Sequence, residues 1–280
     1  MSILPLSLVD GLLAEDVPNG DLTTFSLGIG GMAGLMEFRA RGDMVVAGIE
    51  IAAEMIKRAG AEVLLALPSG ARAEAGALIL TANGPARALH RSWKSAQTLT
   101  EILSGIATAT RALVDAVEAE DPNVRVACTR KTVPGARQLS IAAIRAGGAV
   151  PHRLGLSETI LVFAEHRIFL PDMSLKEIAA RLRYEAPEKK LGIEVDAAAE
   201  ALEAIAAGFD IIQLEKMTPA DVAAVKEHAR GHTLLAAAGG VTPANAADYV
   251  RAGAGLIVSS WPYTARPADV AVTIKADGAL

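Results

Sequence analysis

From residue 124 onward the chain repeats one unit, a short apolar run followed by a longer segment with helical spacing. The runs are VRVAC (124–128), TILVF (159–163), GIEV (192–195), DIIQL (210–214), TLLAA (233–237) and GLIVS (255–259). Short runs dominated by Val, Ile, Leu and Ala predict strands covered on both faces, and that requires a parallel sheet flanked by helices. Boundary signals agree. TPAD (218–221) and TPAN (242–245) place Thr at an N-cap with Pro at the first helical position, and Gly208, Gly231 and Gly253 end helices. About six such units in roughly 140 residues predict an α/β fold, either a partial or complete β/α barrel or a doubly wound open sheet.

Upstream the texture differs. Strand-like pieces at 33–48, 61–67 and 70–89 alternate with turn signals, and IEIAAEMIKRAG between the first two carries helical spacing. Residues 91–120 set Trp93, Ala96, Leu99, Leu103, Ile106, Leu113 and Val117 mostly at helical intervals, with Gly105 as a candidate break. The chain is therefore expected to divide into an N-terminal domain (1–110), a barrel-like domain (111–265) and a C-terminal tail (266–280).

Composition narrows the function classes. At 51% hydrophobic but only 4% aromatic residues, the core has to be built from Ala, Leu, Ile and Val. No apolar run reaches the ~20 residues of a membrane span without a charge. The segment MSILPLSLVDGLLAED lacks a basic start and meets Asp10 and Glu15 early, unlike a secretory signal. One cysteine, Cys128, excludes an internal disulfide and a cysteine-rich zinc site. A cytoplasmic setting is expected. Net charge of −5 with no basic tract argues against nucleic acid as a partner. Any anion site has to be local.

Barrels keep their chemistry on the loops that leave the C-terminal ends of strands. The first run ends in Thr129, Arg130 and Lys131, two adjacent cations at the end of a buried strand. GGAVPHRLG (147–155) adds His152 and Arg153. The third run contains Glu194, with Asp196 beyond it, and the fourth leads to Glu215 and Lys216. The fifth leads to Ala238, Gly239 and Gly240, and the last to Ser259 and Ser260. Cations with carboxylates around one mouth suit a phosphorylated substrate and a divalent metal. Arg and Lys neutralise phosphate or carboxylate oxygens, and carboxylates hold magnesium while phosphates fill its other positions. A Gly-Gly turn before a helix N-terminus attracts phosphate. Taken singly, each has a plainer reading: the glycines as a turn, Glu194 and Glu215 as ion-pair partners, His152 as a structural residue. Cys128 reads as core packing.

Several motifs resemble one family. EDVPNGDLTT (15–24), LSGIATAT (103–110), TRKTVPGAR (129–137), GGAVPHRLGLSETILV (147–162) and IEVD (193–196) are similar, in order, to the type II quinolinate phosphoribosyltransferases. Those are the decarboxylating enzymes that make nicotinate mononucleotide in NAD biosynthesis. The resemblance implies an N-terminal α/β sandwich, a partial α/β barrel, and a homodimer with active sites between subunits. It implies transfer of phosphoribose from magnesium-bound phosphoribosyl pyrophosphate to a ring nitrogen, with release of pyrophosphate. Thr129, Arg130, His152 and Arg153 would face the acceptor. Lys131, Glu194 and Glu215 would serve the donor and its Mg2+, with Glu194 and Glu215 as metal ligands. Gly239 and Gly240 would hold the 5-phosphate.

The departures from the family pattern are specific. Its arginine lent by the partner subunit becomes Lys94, and its lysine in an IKDNH sequence becomes Phe163 in VFAEH. The aspartate of its LDN becomes Glu215 in LEK, and the serine before the double glycine becomes Ala238. Loss of a cation at Phe163 weakens the case for a dicarboxylate acceptor. QLEK (213–216) and VSSWPYTA (258–265) look more like the ModD branch, pyrophosphorylases associated with molybdenum transport. The alternative expectation is a diverged, non-catalytic binding or regulatory protein of molybdate uptake. A Schiff-base aldolase would need a lysine inside a strand, and none of the predicted strands has one.

Overall fold

The computed structural model describes residues 6–229 and 233–277, so the helix end expected at Gly231 lies outside the described residues. The chain forms α1 (Leu6–Asp16), α2 (Leu22–Ser26), β1 (Ala33–Ala40), β2 (Met44–Val45), α3 (Ile49–Ala59), β3 (Glu62–Ala66), β4 (Arg72–Ala73), β5 (Leu78–Pro85) and α4 (Ala86–Glu118). Next come β6 (Arg125–Cys128), α5 (Arg137–Ala146), β7 (Val150–Pro151), β8 (Ile160–Val162), α6 (Ala164–Arg167), α7 (Leu175–Glu185) and β9 (Leu191–Val195). The chain ends with α8 (Ala198–Ala207), β10 (Ile211–Glu215), α9 (Pro219–His228), β11 (Leu234–Ala238), α10 (Ala246–Arg251), β12 (Leu256–Ser259) and β13 (Val270–Ala276). Two compact units result. One gathers residues up to 111 with 133–148 and those from 264, and the other holds 112–132 and 149–263.

The first unit is built on an antiparallel sheet ordered β13-β1-β5-β3. Along β1, Met36, Phe38 and Ala40 point inward at the two-residue period of a strand and pack with Ile49, Ile56 and Leu89. Burying each large side chain contributes about 1.5–3 kcal/mol. Three expectations change here. Residues 86–89, read as strand-like, open α4. Gly105 does not break that helix: a Cβ there would stand 2.3 Å from the Arg266 carbonyl oxygen, so the glycine permits a close backbone approach. The expected tail contains β13, which pairs with β1 from Gly34 opposite Ala276 to Ala40 opposite Val270.

The second unit carries a seven-stranded sheet ordered β7-β6-β12-β11-β10-β9-β8, every neighbouring pair parallel. All six apolar runs are strands, with the two-residue β7 added at one edge. The sheet stays open, with β7 and β8 as its two edges, so the second unit is a partial barrel. Thr218 caps α9 through a capping box with Asp221, Pro219 occupies the first turn, and Gly208 caps α8 at φ 89°. TPAN behaves differently. Thr242 to Asn245 form a separate turn in which Asn245 Oδ1 accepts the Thr242 N–H at 2.8 Å, and α10 starts only at Ala246, with no side-chain cap from Asn245. Among the described residues no helix is long and apolar enough to cross a membrane.

Candidate active site

Parallel strands put all their C-terminal ends on one edge, so whatever follows each apolar run is collected there. Of the thirteen expected site residues, twelve lie in the second unit at or just past strand ends: Thr129, Arg130 and Lys131 after β6, His152 and Arg153 after β7, Phe163 after β8. Glu194 lies in β9, Glu215 ends β10, Gly239 and Gly240 follow β11, Ser259 ends β12 and Ser260 follows it.

The rim closes although the sheet does not. The Arg153 guanidinium, beyond one edge strand, lies 5.5 Å from the centre of the Phe163 ring beyond the other. A stacked cation of this kind is favourable by about 0.5–2 kcal/mol. Phe163 in turn stacks on His166 at 5.7 Å, and His166 Nδ1 accepts the Phe163 N–H at 2.9 Å.

One arc of the rim is cationic. Arg153 is only 8% exposed, and no described carboxylate pairs with it or with Arg130. Burial, reinforced by the charges of Arg153 and Arg130, holds the His152 pKa below its ordinary value. Burial and Arg130 also lower that of Arg153. An uncompensated buried cation is costly, so this arc fits an anion that arrives from outside.

The next arc is anionic. Glu194 stands in register with Gln213, and Glu215 lies two residues further along β10, so their side chains share one face. Burial, then the charge of Glu215, raises the Glu194 pKa; a hydrogen bond from Gln213 Nε2 and the charge of Lys131 oppose that rise. Gln213 is 6% exposed and its Oε1 has no hydrogen-bond partner among the described residues. Gln213 is not among the residues expected at the site, although a glutamine in the middle of DIIQL is the signal the chain offers.

Several polar groups brace the rim. Thr129 N donates to Ser259 O at 3.0 Å, Tyr263 OH donates to Thr129 O at 3.1 Å, and the Thr129 hydroxyl accepts the Lys131 N–H at 3.3 Å. Ser259 Oγ donates to Val241 O at 2.7 Å and accepts from Trp261 N at 3.0 Å. That hydroxyl anchors the loop after Gly240. Both glycines adopt left-handed φ, 82° and 83°. A Cβ on Gly239 would stand 2.6 Å from Lys216 Cγ and 2.8 Å from Glu215 Oε1, whereas one on Gly240 would meet open space. Cys128 is buried and its thiol is pushed up to about 12 by burial alone, as a core residue should be.

Lys94 lies on α4 in the first unit, where it lines an open cavity of about 510 Å³ with Asp21, His90 and Trp93. Its ammonium donates to Gln97 Oε1 at 3.2 Å. The EDVPNGDLTT motif supplies a cap there: Asp21 Oδ1 accepts from Thr23 N and Thr24 N at 3.0 and 3.1 Å, and the Thr24 hydroxyl is 2.7 Å from His90 Nδ1. No cluster of three or more metal-binding side chains occurs among the described residues.

Comparison with known proteins follows the same two parts. Family models of the quinolinate phosphoribosyl transferase N-terminal and C-terminal domains match residues 21–104 and 106–273. "Putative pyrophosphorylase ModD" of Rhodobacter capsulatus is 49% identical over 246 residues, 86% of this chain and 94% of that one. A carboxylating nicotinate-nucleotide pyrophosphorylase of Mycobacterium leprae is 32% identical over 271 residues, 94% of each chain. The crystal structure of NadC from Streptococcus pyogenes superposes with a TM-score of 0.89 at 25% identity over 99% of each chain. Matches that run through both domains make this chain a member of the quinolinate phosphoribosyltransferase family, a family of pentosyltransferases.

Proposed function

We propose that the protein transfers the 5-phosphoribosyl group of phosphoribosyl pyrophosphate to the ring nitrogen of a carboxylated aromatic heterocycle, releasing pyrophosphate. The observation that carries this reading is the segregation of charge around one rim. Among the described residues Arg130 and Arg153 have no carboxylate partner on one arc, while Glu194 and Glu215 repel each other on the next.

Transfer breaks the bond from the ribose C1 to a pyrophosphate oxygen and forms one to the acceptor nitrogen. Positive charge grows on the ribose as the leaving group gains negative charge. Carboxylates at Glu194 and Glu215 stabilise the former and Lys131 the latter, with fixed groups that need no reorganisation. Arg130 presents a planar fork to an acceptor carboxylate. His152, kept neutral, offers one hydrogen bond without adding another full charge beside two arginines. Gly239 and Gly240 cradle the 5-phosphate, with Ser260 beside the same rim. Magnesium brought by the donor would be held by Glu194 and Glu215, whose mutual repulsion a divalent cation relieves, and would neutralise phosphate oxygens. The reading includes a cytoplasmic homodimer in which Lys94 of one subunit serves the rim of the other.

Pyrophosphate release from the donor, with Mg2+ and a panel of aromatic heterocyclic carboxylates, tests the proposal. At least one acceptor should support release. Tight molybdate binding with no response to the donor would instead favour a molybdate-linked binding protein. Phe163 sharpens the acceptor class: quinolinate should turn over weakly, and Phe163→Lys should raise its kcat/KM about tenfold or more by supplying an ion pair. Wild-type turnover of quinolinate matching the best monocarboxylate would refute that narrower claim.

A further inference from the structure

Among the described residues Lys216 is the one non-glycine residue with positive φ, at 56°. A lysine held there is strained, because Cβ crowds the backbone in the left-handed region. Glycine or asparagine would fit the same position comfortably. The strained backbone is tied down: Lys216 N donates to Ala238 O at 2.8 Å, which sets the end of β10 against the end of β11.

The side chain has a definite course. Its Cγ would stand 2.6 Å from a Cβ on Gly239, so the lysine stem lies along the bare face of that glycine. Beyond it Gly240 faces open space, at φ 83°. The Lys216 side chain is exposed, and no described carboxylate lies within ion-pair distance of its ammonium, Glu215 next in sequence included. A cation with no ion-pair partner among the described residues therefore stands beside a rim turn of two glycines that is open at Gly240.

We propose that Lys216 is a further phosphate-binding residue, its ammonium neutralising the 5-phosphate of the ribosyl donor over the Gly239–Gly240 turn. The inference rests on the transferase reading above and extends it to a residue that reading does not use. A flexible ammonium suits this task, since it meets a phosphomonoester as a point charge and needs no fixed fork. Gly239 is required twice, once for its own φ and once because any side chain there would displace the lysine stem.

Calorimetry on the full-length protein tests it, with ribose 5-phosphate and magnesium pyrophosphate titrated separately into wild type and Lys216→Asn. Asparagine tolerates the left-handed backbone, so the variant should fold with an unchanged or higher Tm. Ribose 5-phosphate should bind about tenfold or more weakly, the loss of one charge-assisted contact, while pyrophosphate binding stays within about twofold. In turnover the donor KM should rise more than kcat falls. Unchanged ribose 5-phosphate affinity, or an equal loss for pyrophosphate, would overturn the assignment while leaving the transferase reading intact. A wild-type protein that binds neither ligand and releases no pyrophosphate would overturn both.

Discussion

The two arcs of the rim handle charge in opposite ways. Around β6 and β7 the protein gathers Arg130, His152 and Arg153, gives the arginines no described counter-ion, and leans one of them on the Phe163 ring. Around β9 and β10 it sets Glu194 near Glu215 and moderates the repulsion with a hydrogen bond from Gln213 and the charge of Lys131. In the first arc burial and the neighbouring Arg130 lower the Arg153 pKa. The second carries charge that depends on pH and on what binds. On the proposed reading the contrast makes this rim two half-sites, each completed by a ligand of the opposite sign, built side by side on one sheet edge.

That comparison can be broken most easily at Arg130. Arg130→Met should lower kcat/KM for a carboxylated acceptor about a hundredfold or more, because it removes a partner of a desolvated charge, and should leave the donor KM nearly unchanged. Equal losses for both substrates in steady-state kinetics would mean that the arcs do not work separately.

A smaller effect sharpens the account of the anionic arc. Gln213→Met removes the hydrogen bond that favours the ionised Glu194, so the Glu194 pKa rises further above its ordinary value. Activity that needs the ionised carboxylate should then fail at a higher pH than in wild type. A pH–rate profile whose acidic limb stays in place would contradict this role for Gln213.

The smallest effect is on stability. A carboxylate whose folded pKa is raised costs stability once it is ionised, and costs nothing below its unfolded value near about 4.3. Glu194→Gln should therefore raise Tm near neutral pH, with the advantage fading as the pH falls through the folded pKa toward that value. A variant destabilised at neutral pH would show that Glu194 holds the fold together instead of straining it.

Much of this was written plainly in the chain. Six buried strands announce themselves because parallel strands covered on both faces are predominantly apolar, and the residues after them inherit one edge. Capping at Thr218 and Gly208 is local chemistry and was equally legible. What stayed hidden depends on partners far away in sequence. Val270–Ala276 completes a sheet only by pairing with Gly34–Ala40, so it read as a tail. Gly105 looked like a helix break because its reason is the Arg266 backbone pressed against it. Arg153 and Phe163 meet only because the two sheet edges curve toward each other. The strained backbone of Lys216 left no trace in its residue type, since lysine is not a residue that marks left-handed turns.

The central claim, two half-sites of opposite charge serving two different substrates, is tested most directly by one set of titrations. Calorimetry with magnesium phosphoribosyl pyrophosphate and with the best acceptor, each into wild type, Arg130→Met and Glu215→Gln, separates the arcs. The account predicts that Glu215→Gln weakens only the donor and Arg130→Met only the acceptor. Donor binding that depends on Arg130 and ignores Glu215 would contradict it.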